Sequence, residues 1–185
     1  IHDIDPFNTL VDLNRAGIPL LEIVSEPEIK NGEEAYSYLS EIRKLVRYLE
    51  ISDGNMEEGS LRADLNISVR KKGTTKFGTK VEVKNMNSFR NVQKAIDFEI
   101  IRQIDLIEGG TPIFQETRTF DAVKNCTIGL RTKEDAHDYR YFPEPDLVPV
   151  IVPSSYVAEV RETMPPLPYE LFKKYTAELG LSEYD

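Results

Sequence analysis

The sequence predicts an α+β fold with a largely antiparallel sheet and packed helices, and three observations support this prediction. Strand-like and helix-like segments follow one another in the order β-β-α-β-β-α-β-β-β. The clearest strand, residues 61–70, alternates apolar and polar side chains along its whole length. A lysine-rich turn then leads into a second alternating run, residues 80–84. Two such runs joined by a turn are typical of an antiparallel hairpin with one buried and one polar face.

Two helices are predicted between the strands. The first begins at Asn31, an N-cap residue followed three positions later by an acid, and a turn at residues 52–55 ends it. The second begins after Ser88 and stops at Gly109. Its predicted inward positions are Phe89, Val92, Ile96, Ile100, Ile104 and Ile107. Further short strands are predicted at residues 10–14, 20–24, 115–120, 127–131 and 139–142.

A domain boundary is predicted near Val152, where four prolines follow one another within eleven residues. Residues 1–152 form the core of one domain, and residues 153–185 form the start of a small helical domain, with helices at 154–163 and 168–179. Because the chain begins with Ile1 rather than Met, we expect an upstream portion to be missing.

Composition narrows the classes of function. The net charge of −9 argues that this piece does not grip a nucleic-acid backbone by itself. The single cysteine, Cys126, allows neither an internal disulfide nor a Cys-x-x-Cys zinc site, which is typical of a cytoplasmic protein. No apolar run approaches the roughly 20 residues of a membrane helix, so no membrane partner is expected.

The polar face of the predicted hairpin is the first candidate site. Arg62, Asp64 and Asn66 recur at period two, so their side chains point the same way. The partner strand adds Lys80, Glu82 and Lys84 on its own polar face. Such a mixture can hold Mg²⁺ and phosphate oxygens together. The alternative, a solvated face with cross-strand ion pairs, is the commoner meaning of this pattern.

Glu22 is the second candidate, because it lies within the apolar run of residues 19–24. An ionised carboxylate buried there must be paired or metal-bound, so a metal ligand and a core acid paired with one Arg are equally compatible. The acidic turn at residues 56–60 and the aromatic, charged segment at 137–146 are interpreted as a solvated loop and a structural corner. No P-loop or nucleophile-elbow motif is present.

Five segments resemble one family, that of the B subunit of the aspartyl/glutamyl-tRNA(Asn/Gln) amidotransferases. The first three are LVDLNRAGIPLLEIVSEP at residues 10–27, MEEGSLRADLNISVR at 56–70 and FGTKVEVKNMNSF at 77–89. The other two are HDYRYFPEPD at 137–146 and LSEYD at 181–185. The resemblance covers essentially the whole chain, and chance agreement over motifs of this length is negligible.

The resemblance implies an enzyme that converts Glu-tRNA(Gln) or Asp-tRNA(Asn) to the amidated form. ATP with Mg²⁺ phosphorylates the side-chain carboxylate, and ammonia supplied by an amidase displaces the phosphate. The implied partners are the amidase (A) subunit, the small (C) subunit and the misacylated tRNA. The implied fold is like that of glutamine synthetase and guanido kinases.

The resemblance also implies roles for individual residues. Glu22 and Asp64 match acidic positions around the Mg²⁺ site. The candidate catalytic residues are Arg62, Asn66, Glu82 and Lys84, and of these Arg62 and Lys84 would neutralise phosphate or carboxylate. The family's opening motifs, which carry other Mg²⁺ ligands, and its tRNA-gripping tail are absent, so the isolated chain is expected to be inactive. A scaffold that docks the amidase and a free-standing carboxylate–amine ligase are the alternatives.

Overall fold

The computed structural model describes residues 2–5, 8–14, 16–132 and 148–184. The strands are β1 (His2–Asp5), β2 (Asn8–Leu10), β3 (Leu65–Ile67), β4 (Val81–Lys84), β5 (Glu116–Asp121) and β6 (Cys126–Thr132). The helices are α1 (Gly32–Tyr48), α2 (Phe89–Glu108), α3 (Ser154–Thr163) and α4 (Pro168–Lys173), the last continued by a π-helical turn, Lys174–Glu178. The predicted strand at 139–142 and the segment 137–146 lie outside the described residues. Among the described helices, none has the length and apolar character needed to cross a membrane.

The main sheet has four strands in the order β3-β4-β5-β6. Both outer pairs are antiparallel, with Leu65 opposite Val83 in the first and Thr119 opposite Ile128 in the second. The central pair, β4 and β5, is parallel, because α2 carries the chain back between them. The predicted α+β class and hairpin are therefore confirmed; the sheet is mixed, with two of its three strand pairs antiparallel as expected and its central pair parallel.

Helix α1 begins where the sequence predicts. The Asn31 side-chain oxygen accepts a hydrogen bond from the Glu34 N–H at 2.8 Å, and the Glu34 carboxylate accepts one from the Lys30 N–H at 2.8 Å. The helix ends at Tyr48, earlier than predicted, because Glu50 adopts a left-handed φ of 56° and closes a Schellman-type end. No glycine in the sequence marks the C-terminal end of this helix.

Helix α2 has the predicted ends, and its predicted inward face is confirmed as far as Ile100. Ser88 caps the helix by accepting from the Asn91 N–H at 3.2 Å, and Gly109 follows its last residue. The buried stripe is Val92, Ala95, Ile96, Glu99 and Gln103. Ile104 and Ile107, predicted inward, are 40% and 45% exposed. The later turns of α2 instead bury polar side chains, which find polar partners on the sheet.

The hydrophobic core lies between the two long helices and one face of the sheet. Its buried members include Ala35, Met56, Ile67, Val83, Met86, Val92, Ala95 and Ile96. Along residues 61–67 the odd positions are more buried than the even ones, so the predicted alternation is confirmed although the strand itself is only three residues long. The helices thus cover one face of the sheet. The opposite face, called the open face below, carries the polar side chains at the even-numbered positions of residues 62–66 and of β4.

The predicted strands at 10–14 and 20–24 are wrong. Strand β2 ends at residue 10 and pairs with β1, and residues 18–26 have no regular structure. Leu20, Leu21 and Val24 are 92%, 73% and 80% exposed. An apolar run predicts a strand only where another strand or a core face is available to cover it, and the described residues supply neither here.

Helix α3 has the predicted bounds, and the second predicted helix is divided into α4 and the π-helical turn. Neither α3 nor α4 buries any residue within the described chain. One hydrogen bond joins this segment to α1, from the Tyr48 hydroxyl to the Pro166 carbonyl oxygen at 2.8 Å. The domain boundary at Val152 stays a prediction.

Candidate functional site

The open face of the sheet carries polar side chains in two rows that cross the strands. In the first row Asn66 lies opposite Glu82, and Glu82 lies opposite Thr117 on β5. In the next row Lys84 lies opposite Thr119. Because side chains on neighbouring strands at one register position share a face, the parallel β4–β5 pair brings both threonines beside the hairpin's charges.

Lys84 is the centre of the cluster. Its ammonium nitrogen lies 3.2 Å from Glu82 Oε1 and 3.4 Å from Asp64 Oδ2. The second oxygen of Glu82, Oε2, accepts a hydrogen bond from the Thr117 hydroxyl at 3.0 Å. The Glu82 side chain is 17% exposed and that of Asp64 is 53% exposed, so the cluster runs from the sheet surface into solvent. The structure therefore brings together three of the six predicted site residues.

The charge state of Lys84 follows from these contacts. The hydrogen-bonded contact with Glu82 raises the pKa of the Lys84 ammonium above its ordinary value, against an opposing effect of burial, and the Asp64 charge adds to the increase. A lysine whose pKa is raised is fully protonated at neutral pH. Lys84 is therefore a fixed cation and not a general base.

Arg62 and Asn66 are exposed, and neither takes part in the ion pairs of this cluster. Arg62 makes no ion pair within the described residues, although period two places it on the same side as Asp64. Asn66 is the cross-strand neighbour of Glu82, and no hydrogen bond of its side chain is found in the described part of the chain.

The prediction that Glu22 is a buried acid is wrong, because the residue is exposed in a segment without regular structure. The run of apolar neighbours that predicted a costly buried carboxylate is itself exposed. The physical argument for a forced metal or arginine partner therefore does not apply in this structure. A metal-binding role for Glu22 stays a prediction.

Thr117 is a site residue that the sequence reasoning missed. It is 3% exposed and donates to Glu82 from a neighbouring strand. A threonine inside a strand-like segment carries no functional signal in one sequence, since threonine is common in strands. Only the parallel pairing of β4 and β5 shows that it lies against Glu82.

A second polar cluster, also missed, lies on the helix-covered face. Glu99 is fully buried and accepts from Arg102 Nε at 3.0 Å and from the Thr127 hydroxyl at 2.8 Å. Arg118 lies 3.6 Å from the same carboxylate and 2.7 Å from Glu116. These pairs hold α2 against β5 and β6, so the cluster is a structural joint of the fold.

The donor chemistry of the open face can be compared with that of a Mg²⁺ site. Asp64 and Glu82 offer carboxylate oxygens, the ligands that Mg²⁺ prefers, and both already lie against one positive charge. Within the described ranges no group of three or more His, Cys, Asp or Glu side chains could hold a metal ion. The carboxylates of the open face could therefore supply only part of a Mg²⁺ ligand set. Other residues or substrate oxygens would have to complete it.

The fold and the cluster together define a class: an α+β domain whose helices cover one sheet face and whose other face carries a lysine held between two acids. The chain belongs to the family of GatB/GatE catalytic domains, whose model matches residues 1–158. The match includes the whole four-stranded sheet and every residue of the Asp64–Glu82–Lys84 cluster.

Several curated relatives are similar over nearly the whole chain. The B subunit of the aspartyl/glutamyl-tRNA(Asn/Gln) amidotransferase of Alkalilimnicola ehrlichii is 58% identical over 177 residues, covering 96% of this chain and 37% of that protein. The protein of the same name from Crocosphaera subtropica is 58% identical over 178 residues, or 96% and 36%. That from Vesicomyosocius okutanii is 51% identical over 185 residues, or 100% and 39%. The chain therefore spans little more than a third of the length of these relatives.

Proposed function

We propose that this chain is part of the catalytic domain of an amidotransferase B subunit, which activates the side-chain carboxylate of Glu-tRNA(Gln) or Asp-tRNA(Asn) with ATP and amidates it. The observation that carries the proposal is the Asp64–Lys84–Glu82 cluster, which lies on the open sheet face within the part matched by the family model. Identity above 50% to proteins of that name supports the substrate class.

The reaction has two displacements. A carboxylate oxygen of the aminoacyl group attacks the γ-phosphorus of ATP, ADP leaves, and an acyl phosphate results. Ammonia then attacks the acyl carbon and inorganic phosphate leaves, so that the amide forms. The phosphorylation is needed because a free carboxylate has no good leaving group.

The residues of the open face are suited to the first displacement. The protonated Lys84 neutralises negative charge on the phosphoryl or carboxylate oxygens as they approach one another. Asp64 and Glu82 would hold Mg²⁺, with Glu22 as a further ligand, and the ion would supply charge neutralisation on the nucleotide phosphates. Thr117 fixes the orientation of the Glu82 carboxylate. Arg62 makes no ion pair among the described residues, and we assign it to phosphate.

Further parts of the proposal concern the fold, the partners and the compartment. The mixed sheet with helices on one face is compatible with a glutamine synthetase or guanido kinase-like architecture. The partners are an amidase (A) subunit that supplies ammonia, a small (C) subunit, and a misacylated tRNA. The compartment is the cytoplasm, where the lone Cys126 would stay reduced.

One experiment separates this proposal from its alternatives. The full-length protein with Asp64→Asn, assembled with its partners, is assayed for amidation of Glu-tRNA, beside an Asp53→Asn control on a surface turn. The proposal predicts loss of amidation in the first variant only. A scaffold would tolerate Asp64→Asn. A carboxylate–amine ligase would amidate free glutamate without tRNA, so the parental complex is also assayed with glutamate alone.

A further inference from the structure

The loop between β3 and β4, residues 68–80, has a charge opposite to that of the chain. It contains five of the 23 basic residues and none of the 32 acidic ones, in a chain of net charge −9. The basic residues are Arg70, Lys71, Lys72, Lys76 and Lys80, all exposed. We call this segment the lysine loop.

The lysine loop has a defined internal structure. Lys71 and Thr74 close a tight turn, in which the Lys71 carbonyl oxygen accepts from the Thr74 N–H at 3.1 Å and from its hydroxyl at 2.7 Å. Gly73 supplies the left-handed φ of 87° that this turn requires. Arg70 donates to the Thr75 carbonyl oxygen at 2.7 Å and stacks over the Phe77 ring at 4.6 Å. The internal contacts therefore occupy Arg70 and hold the loop in shape.

The side chains of the four lysines in the loop have no such internal role. Within the described chain none of these side chains makes an ion pair, and the loop itself contains no acidic residue that could balance their charge. A surface segment that serves only solubility usually interleaves both signs of charge. A turn that is held in one conformation and carries only positive charge is suited to bind a partner with regularly spaced negative charges. Phosphate groups provide such charges.

The position of the loop relates it to the candidate site. The Ile67–Val81 pair closes the β3–β4 ladder, and the lysine loop begins immediately beyond it. Lys80 lies two residues from Glu82, a distance of about 7 Å along a strand. A polyanion held by the loop would therefore lie beside the open face that carries Asp64, Glu82 and Lys84.

We propose that the lysine loop binds the phosphate backbone of the tRNA substrate next to its aminoacylated end. This inference rests on the proposed function, since it takes the tRNA as substrate. Lysine is suited to the role because its ammonium is a mobile point charge that neutralises phosphate without requiring one geometry. The remainder of the chain is acidic and would repel the same backbone, so the loop also limits where the RNA can approach.

The test uses the full-length protein in its assembled complex. Lys71→Gln/Lys72→Gln, and the fourfold variant that adds Lys76→Gln and Lys80→Gln, are compared with Lys30→Gln/Lys44→Gln, which removes two exposed cations from the α1 region. We expect the KM for misacylated tRNA to rise about tenfold in the fourfold variant, and kcat at saturating tRNA to stay within about twofold. The slope of log affinity against log salt concentration should become shallower by about 0.7–0.9 for each phosphate that the loop no longer neutralises, with no change in the control.

Three results would overturn the inference. One is an unchanged KM and salt slope in the fourfold variant, while the parental complex amidates tRNA normally; in that case the proposed function stands and only the loop assignment fails. A second is a fourfold variant that no longer assembles with its partner subunits but keeps its affinity for tRNA. That result would mean that the loop binds an acidic protein surface instead. The third is a parental complex that does not act on tRNA at all, which would remove the proposed function together with this inference.

Discussion

Thr117 and Glu82 face each other across the parallel β4–β5 pair, and the threonine hydroxyl donates to the Glu82 carboxylate at 3.0 Å. The other oxygen of that carboxylate lies 3.2 Å from the Lys84 ammonium. Both oxygens of Glu82 are therefore held, one by a neutral donor and one by a cation. Since β5 reaches this position only after the α2 crossover, the site depends on the long-range topology as well as on the hairpin.

Thr117→Val should loosen the Glu82 carboxylate, because valine keeps the shape of threonine without its donor. We expect a loss of about 1 kcal/mol in the free energy of unfolding and a fall of about tenfold in kcat for amidation, with assembly unaffected. Thr117→Ser keeps the hydroxyl and should restore most of the rate. Equal rates in the serine and valine variants would show that the hydrogen bond does not position Glu82.

Lys84→Met should remove the cation that lies between two acids. Asp64 and Glu82 would then repel each other, and we expect a fall of at least about a hundredfold in tRNA-dependent ATP hydrolysis. Lys84→Arg keeps the charge but changes its geometry, so it should retain part of the rate. Parental activity in the methionine variant would exclude Lys84 from the mechanism.

The raised pKa of Lys84 also predicts a pH dependence. For a lysine whose pKa is higher in the folded state, the stabilisation is fully present below its ordinary pKa and is lost only as the pH rises through the raised value. The difference in thermal midpoint between the parental protein and Lys84→Met should therefore be constant from about pH 6 to pH 9. A difference that already declines near about pH 8 would contradict the assignment.

Glu99→Leu should be strongly destabilising. The change leaves Arg102 and Arg118 without the buried carboxylate that they share, and breaking a buried pair in this way costs about 3–5 kcal/mol. Chemical denaturation of the full-length protein measures the loss. Glu41→Gln, which breaks the exposed pair with Lys44, is the matched control and should change stability by less than about 1 kcal/mol. Similar values for both variants would show that the Glu99 cluster does not join α2 to the sheet.

Features with local signals were predictable from the sequence. The caps at Asn31 and Ser88 depend on residues within one helical turn, and Gly109 marks the end of α2. The antiparallel hairpin follows from two alternating runs joined by a lysine-rich turn. Because the hairpin register is local, the grouping of Asp64, Glu82 and Lys84 on one face was also predictable.

Features that depend on tertiary placement could not be predicted in this way. The parallel pairing of β4 with β5 requires knowing where α2 packs, and Thr117 becomes a site residue only through that pairing. Glu99 is fully buried although charged residues usually stay outside, and the partners that accommodate it include Arg118 of β5 and Thr127 of β6 as well as Arg102 of its own helix. For Glu22 the prediction of burial failed because a run of apolar residues in the sequence does not show whether other parts of the chain cover it.

The central claim is that the Asp64–Lys84–Glu82 cluster activates a tRNA-bound carboxylate. The most direct measurement is a single-turnover assay of phosphoryl transfer from γ-labelled ATP to Glu-tRNA in the assembled complex without ammonia, comparing Asp64→Asn and Glu82→Gln with Glu41→Gln. We predict that both cluster variants slow acyl phosphate formation by at least about a hundredfold and that Glu41→Gln retains the parental rate. Parental rates in both cluster variants would contradict the account.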